Sequence, residues 1–311
     1  MLLGCSSQGD RGEPIANLAL AEDALKRGEH DRALTLLGAW ADESYARPEL
    51  ERKMILEAKA RLAAGEPWKT YQRLRDFPDL HRFSPLLRDA EQLVFTAGRT
   101  LIESNGGFLF FSNDSDDGQV VLEHFIVHYP RARELVPDAL RLLAEKAFKE
   151  QKWPLCRERM SQVLREYPDS EWATLARFRV AMTRFFQLEG PAYDLEALTL
   201  AHNELKDFLA GVPENPKFRS EATKALGQTR AWLGTKHVQI ASFYRRLGNR
   251  FAEQTHLAIA VAEFGETSAA AEAATLLRAM EGLGKDQATS RPALPGADRT
   301  KTGARPGQRT P

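Results

Sequence analysis

Residues 140–168 read Leu140-Arg141-Leu142-Leu143-Ala144-Glu145-Lys146-Ala147-Phe148-Lys149-Glu150-Gln151-Lys152-Trp153-Pro154-Leu155-Cys156-Arg157-Glu158-Arg159-Met160-Ser161-Gln162-Val163-Leu164-Arg165-Glu166-Tyr167-Pro168. Apolar residues fall at helical spacing in two runs, 140–150 and 154–166. Pro154 suits the first turn of the second run, and Pro168 forbids its continuation. Ala144, Cys156 and Pro168 sit twelve residues apart. Small side chains at such positions let two antiparallel helices approach closely, so the stretch predicts a helical hairpin.

The same spacing recurs at Ala21, Ala33 and Tyr45, and again at Ala241, Glu253 and Gly265. Recurrence of a hairpin of about 34 residues is the mark of a tetratricopeptide-type array. Each hairpin leaves an apolar face that only its neighbour covers, so the units stack. The expected fold is all-α: a tetratricopeptide-like solenoid of five or six hairpins with a C-terminal capping helix.

Working outward, the expected hairpins cover 15–41, 49–77 and 86–129, then 140–168 and 171–209. A lone helix is expected from Phe218 to Leu233. A last hairpin follows from His237 to Glu263, and the cap runs from Ser268 to Met280. The third hairpin is interrupted by Ser104–Gly118, which contains Phe108, Phe110 and Phe111 beside an acidic loop. Such a cluster either folds back on the array or faces a partner. Residues 285–311 are rich in Pro, Gly, Thr and Arg and poor in large apolar residues, the composition of a disordered tail. The domain plan is thus 1–14, 15–284 and 285–311.

The bulk composition excludes several classes. Lys plus Arg total 43 and Asp plus Glu total 43, so no net charge draws the chain to nucleic acid. No apolar run approaches the roughly 20 residues that span a bilayer. No phosphate-cradling glycine loop, zinc-protease helix or serine-hydrolase elbow occurs, and no catalytic residue or cofactor site is expected. His124 and His128 share one helix face at a spacing that can chelate a metal, the basis of an alternative reading as a metal-dependent enzyme. Asn113–Gly118 resembles the start of a calcium loop, but His124 stands where the bidentate Glu belongs.

The chain opens Met1-Leu2-Leu3-Gly4-Cys5, followed by polar residues 6–14. Leu-Leu-Gly-Cys resembles a bacterial lipobox, with Cys5 as the acylated residue and the polar stretch as its tether. The apolar signal that should precede such a site is not in the sequence. Cys156, the other cysteine, falls in a packing slot.

Three stretches carry a family resemblance. Glu166-Tyr167-Pro168-Asp169-Ser170-Glu171-Trp172-Ala173 resembles the Tyr-Pro-x-Ser-x-x-Ala joint between repeats of the BamD (YfiO, ComL) lipoproteins. His237–Asn249, with Phe243-Tyr244 before Arg246-Leu247-Gly248-Asn249, is similar to that family's late repeat. Phe264–Ala273 is similar to its last joint, although Gly265 stands where Pro is usual. The resemblance covers about 140–283. It implies a non-enzymatic lipoprotein at the periplasmic face of the outer membrane. Its implied partners are the barrel-forming assembly subunit and unfolded outer-membrane proteins. Arg245, Arg246 and Arg250 flank a turn in this region and are the expected contact patch, with Phe108, Phe110 and Phe111 the next candidates. A generic tetratricopeptide adaptor in another envelope pathway (division, pilus or secretion) is the alternative.

Overall fold

The computed structural model describes residues 13–104, 114–211 and 215–289, with side chains up to 282. The described residues are helical, with no strand. In order they form α1 (Pro14–Lys26), α2 (His30–Leu37), α3 (Arg47–Ala63), α4 (Pro67–Leu74), α5 (Phe77–Leu80), α6 (Leu87–Glu103) and α7 (Asp114–His128). Then follow α8 (Val136–Lys149), α9 (Trp153–Glu166), α10 (Ala173–Phe186), α11 (Leu195–Ala210), α12 (Pro216–Arg246), α13 (Arg250–Glu263) and α14 (Ser268–Thr289). The all-α hairpin fold read from the sequence is the fold observed. The chain divides into two compact units, 1–189 with 199–227, and 190–198 with 228–311.

One turn is used four times. After α1, Gly28 N–H donates to Leu25 O and Glu29 N–H to Ala24 O. Gly65 and Glu66 repeat the pattern after α3, Gln151 and Lys152 after α8, and Gly248 and Asn249 after α12. This pair of bonds is a Schellman cap, and its first residue must take positive φ. The values are 76°, 77°, 58° and 72°. Three of the four positions are glycine; Gln151 adopts the same conformation with a side chain.

In the first unit, Leu18, Ala21, Ala33 and Leu37 join Leu56 and Ala60 in a small core where α1 and α2 meet α3. A larger cluster runs from Met54 through Phe77, Phe125 and Ala144 to Met160 and Ala176. Ala144 and Cys156 are fully buried, as their spacing predicts. Burial pushes the Cys156 thiol up to about 12, so it stays protonated and serves packing. Arg157 grips Glu204 through two bonds at 2.8 and 2.7 Å, and Arg184 joins the same carboxylate at 2.9 Å. These pairs tie α9 and α10 to α11.

Three expectations are corrected. The second helix of the third hairpin starts at Asp114, inside the stretch 104–118 read as an interruption, so 114–118 is a helical turn and not an ion-binding loop. Gly118 is there for close approach: a Cβ on it would lie 2.4 Å from Ile102 N on α6. Asp116 pairs with Lys146 at 2.9 Å. Second, the helices expected at 218–233 and from 237 are one continuous helix, α12. Gly234 does not break it. A Cβ there would meet Thr267 Oγ1 at 3.0 Å and Phe264 Cβ at 3.4 Å, so glycine admits the joint before α14. Third, α14 runs to Thr289, five residues into the stretch read as tail.

Candidate functional site

The second unit ends in the hairpin of α12 and α13, closed by α14. Val238, Ala241, Leu257, Ala260, Ala269 and Ala273 form its core. His237 and His256 face each other with their Nδ1 atoms 3.1 Å apart, and the ring of Tyr244 stacks on His256 at 5.7 Å. Two histidines at that distance share one proton, so at least one must be neutral. Burial lowers the pKa of both, and for His237 the charge of His256 lowers it further.

The turn is built tightly. Gly248 takes positive φ, and Asn249 Oδ1 accepts from Ala252 N–H at 3.1 Å, capping α13. Arg245 reaches over the turn to Glu253, a carboxylate only 5 % exposed. That pairing uses Arg245 to close the hairpin. Arg246 and Arg250 are exposed.

What the hairpin does not bury is apolar. Phe243, Leu247 and Phe251 are 48 %, 63 % and 82 % exposed. Phe243 lies in the last turn of α12, Leu247 follows the helix end four residues later, with its N–H bonded to Phe243 O, and Phe251 sits in the first turn of α13. Three large apolar side chains around one turn, bordered by Arg246 and Arg250, have the composition of an interaction surface. The sequence reading places the arginines there and passes over the apolar three. The signal is present in the residue types: Leu247 and Phe251 flank a Gly-Asn turn, where solvated residues are the rule.

Two other clusters of polar side chains stand out among the described residues. His124 and His128 stack with ring centroids 4.1 Å apart and planes within 17°. Ring nitrogens bind metals in the ring plane, and two near-parallel planes 4.1 Å apart do not meet at one ion. Among the described residues no group of three or more metal-binding side chains gathers. His128 Nδ1 lies 3.3 Å from Asp79, and the Tyr71 ring meets His124 edge-on. Glu51 accepts from Ser84 Oγ at 2.6 Å and contacts His81 Nδ1 at 2.8 Å. In a hydrolase triad the histidine stands between serine and acid; here the acid stands between them. Burial raises the Glu51 pKa, but its bonds to Ser84, His81 and Arg47 outweigh that and hold it low. The cluster locks the start of α3 to the 81–84 loop. Cys5, Phe108, Phe110 and Phe111 lie outside the described residues.

A family model described as YfiO, outer membrane lipoprotein, matches residues 122–293. The chain belongs to this family. The YfiO match runs from within α7 to beyond α14 and contains the whole α12–α13 hairpin. It leaves out α1 to α6 and the first eight residues of α7. No curated protein matches the chain. No helix among the described residues is long and apolar enough to cross a membrane.

Proposed function

We propose that this YfiO-family chain is a non-enzymatic scaffold, lipid-anchored through Cys5 at the periplasmic face of the outer membrane. Its work is to hold protein partners during β-barrel assembly, as the BamD resemblance implies. The stable partner is the barrel-forming subunit, and unfolded outer-membrane proteins are its clients. The observation that carries the reading is the apolar tip of Phe243, Leu247 and Phe251 with Arg246 and Arg250, inside the family-matched region. Such a surface supplies aromatic anchors and planar cations, the residue types that dominate binding energy at protein interfaces. Arg246 and Arg250 would meet carboxylates at the rim, while the apolar three enter a pocket.

The test is capture of the barrel-forming subunit from detergent-solubilised membranes by the purified chain. Phe243→Ser with Leu247→Ser and Phe251→Ser should lose capture at least tenfold, and Arg246→Glu with Arg250→Glu should also weaken it. Both variants change exposed side chains, so circular dichroism should show the parental helix content. Full capture by the triple serine variant would move the interface away from this hairpin. Capture of a division or secretion protein in place of the barrel subunit would favour the adaptor alternative.

A further inference from the structure

α1 is the first helix among the described residues, and the terminal elements of a stacked array carry a polar outer face to stay in water. α1 departs from this. It buries Asn17, Leu18, Ala21 and Ala24 against the array. Its exposed residues are Ile15, Ala16, Ala19, Leu20, Asp23 and Lys26, with exposed Arg27 at its C-cap. At 3.6 residues per turn these seven fall in one arc of about 140°. The arc is apolar over the N-terminal half and charged over the last turn. Ile15 is 64 % and Leu20 49 % exposed.

The basic residues of the last turn are already paired. Lys26 lies 3.6 Å from Glu22, and Arg27 bonds Asp23 O at 3.2 Å with Glu29 at 3.8 Å. The charges of this turn are largely balanced locally, so the apolar half is what sets the face apart. That half begins two residues after Glu13, and Cys5 lies eight residues before Glu13. Eight residues reach at most about 28 Å even when fully extended. If Cys5 holds a lipid, α1 is kept within that distance of the bilayer surface. A tether this short gives effective concentrations of order millimolar, so a weak contact suffices.

From the apolar arc and its distance to Cys5 we infer that α1 rests on the membrane interface, with Ile15, Ala16, Ala19 and Leu20 against the lipid. The inference rests on the acylation of Cys5. The contact orients the array: the N-terminal half of α1 meets the acyl boundary, and the charged last turn, about 9 Å further along the helix axis, stays among the headgroups. This is the geometry of an interfacial helix, made stable by its neighbouring anchor.

The experiment separates the face from the cellular modification. The full-length chain is joined through Cys5 to a maleimide lipid in neutral phosphatidylcholine vesicles. Cys156 is fully buried with its thiol held protonated, so the reagent takes Cys5. A photocrosslinking amino acid is placed at position 16, or at the exposed position 35 on α2 as a control. Lipid adducts at position 16 should exceed those at position 35 at least fivefold. Adding Ile15→Glu and Leu20→Glu should bring position 16 down to the control level, with unchanged circular dichroism. Equal adducts at 16 and 35, or adducts indifferent to the two glutamates, would overturn the inference. Palmitate labelling in cells, with an in-frame signal placed ahead of Met1, decides the anchor separately; a chain that is exported and takes no palmitate overturns the anchored reading whatever the vesicles show.

Discussion

Arg245 Nε donates to Glu253 Oε1 at 2.5 Å across the α12–α13 turn, joining a half-exposed guanidinium to a carboxylate that is almost completely buried. Glu253 occupies the slot that in other hairpins takes a small residue, so its charge enters the packed joint and needs a partner there. Arg245→Ala removes that partner and leaves a buried carboxylate. The expected loss is about 1–3 kcal/mol, the upper part of the range being limited because Arg245 is open to water. A urea midpoint unchanged by the substitution would show that Arg245 is free to serve a partner protein instead.

Gln151 holds the left-handed position that glycine fills at 28, 65 and 248, with φ of 58°. A side chain there costs roughly 1–2 kcal/mol. Glycine gives back part of this in unfolded-chain entropy, about 0.5–1 kcal/mol. The balance favours Gln151→Gly modestly, so its melting temperature should rise by a few degrees. A fall would mean that the Gln151 side chain contributes contacts worth more than the strain.

The hairpins were legible because three local signals agree in them. Apolar spacing of 3.6, small residues where helices cross, and Gly or Pro at the ends all mark the same boundaries at 15–41, 49–77 and 140–168. The misreadings came where one residue type serves two purposes. Gly118 ends the stretch read as an interruption and Gly234 follows the helix end expected at Leu233, yet both lie within helices. Their missing side chains admit a neighbouring backbone at Ile102 and the joint at Phe264–Thr267, contacts distant in sequence. The candidate site was half legible for a related reason. The exposure of Arg246 and Arg250 follows from charge, whereas that of Phe243, Leu247 and Phe251 depends on which side of the hairpin the core lies. Hydrophobic residue types alone do not reveal an unpartnered face.

Acylation of Cys5 has a direct readout. With an in-frame signal placed ahead of Met1, labelled palmitate should enter the protein, and Cys5→Ala should abolish the label. Cys5→Ala should also release the protein from washed membranes, since no described helix is able to hold it in the bilayer. Equal labelling of both forms would place the lipid elsewhere and remove the lipobox reading.

Acid should loosen the first unit in a defined window. His124 is held down to about 4, first by burial and then by the charge of His128; Arg75 also lowers it, while Asp79 and Asp76 raise it. Its Nδ1 is buried and meets no protein partner among the described residues. In the unfolded chain the same imidazole titrates near 6.5. Between those values the unfolded state binds more protons, so stability falls as pH falls. The contribution is fully present above about 6.5 and is lost progressively down to about 4, where the folded histidine also protonates. His237 and His256, both lowered, act with the same sign in the second unit. Carboxylates such as Glu22 and Glu51, lowered in the folded chain, take over only below their ordinary range near 4.5. His124→Phe keeps a ring between Tyr71 and His128 and removes both the proton site and the orphan nitrogen. The variant should match or exceed the parent in urea resistance at pH 7.5 and lose less of it on going to pH 5. Parallel losses in variant and parent would assign the acid sensitivity to the His237–His256 pair, and His237→Phe would then be the variant that flattens it.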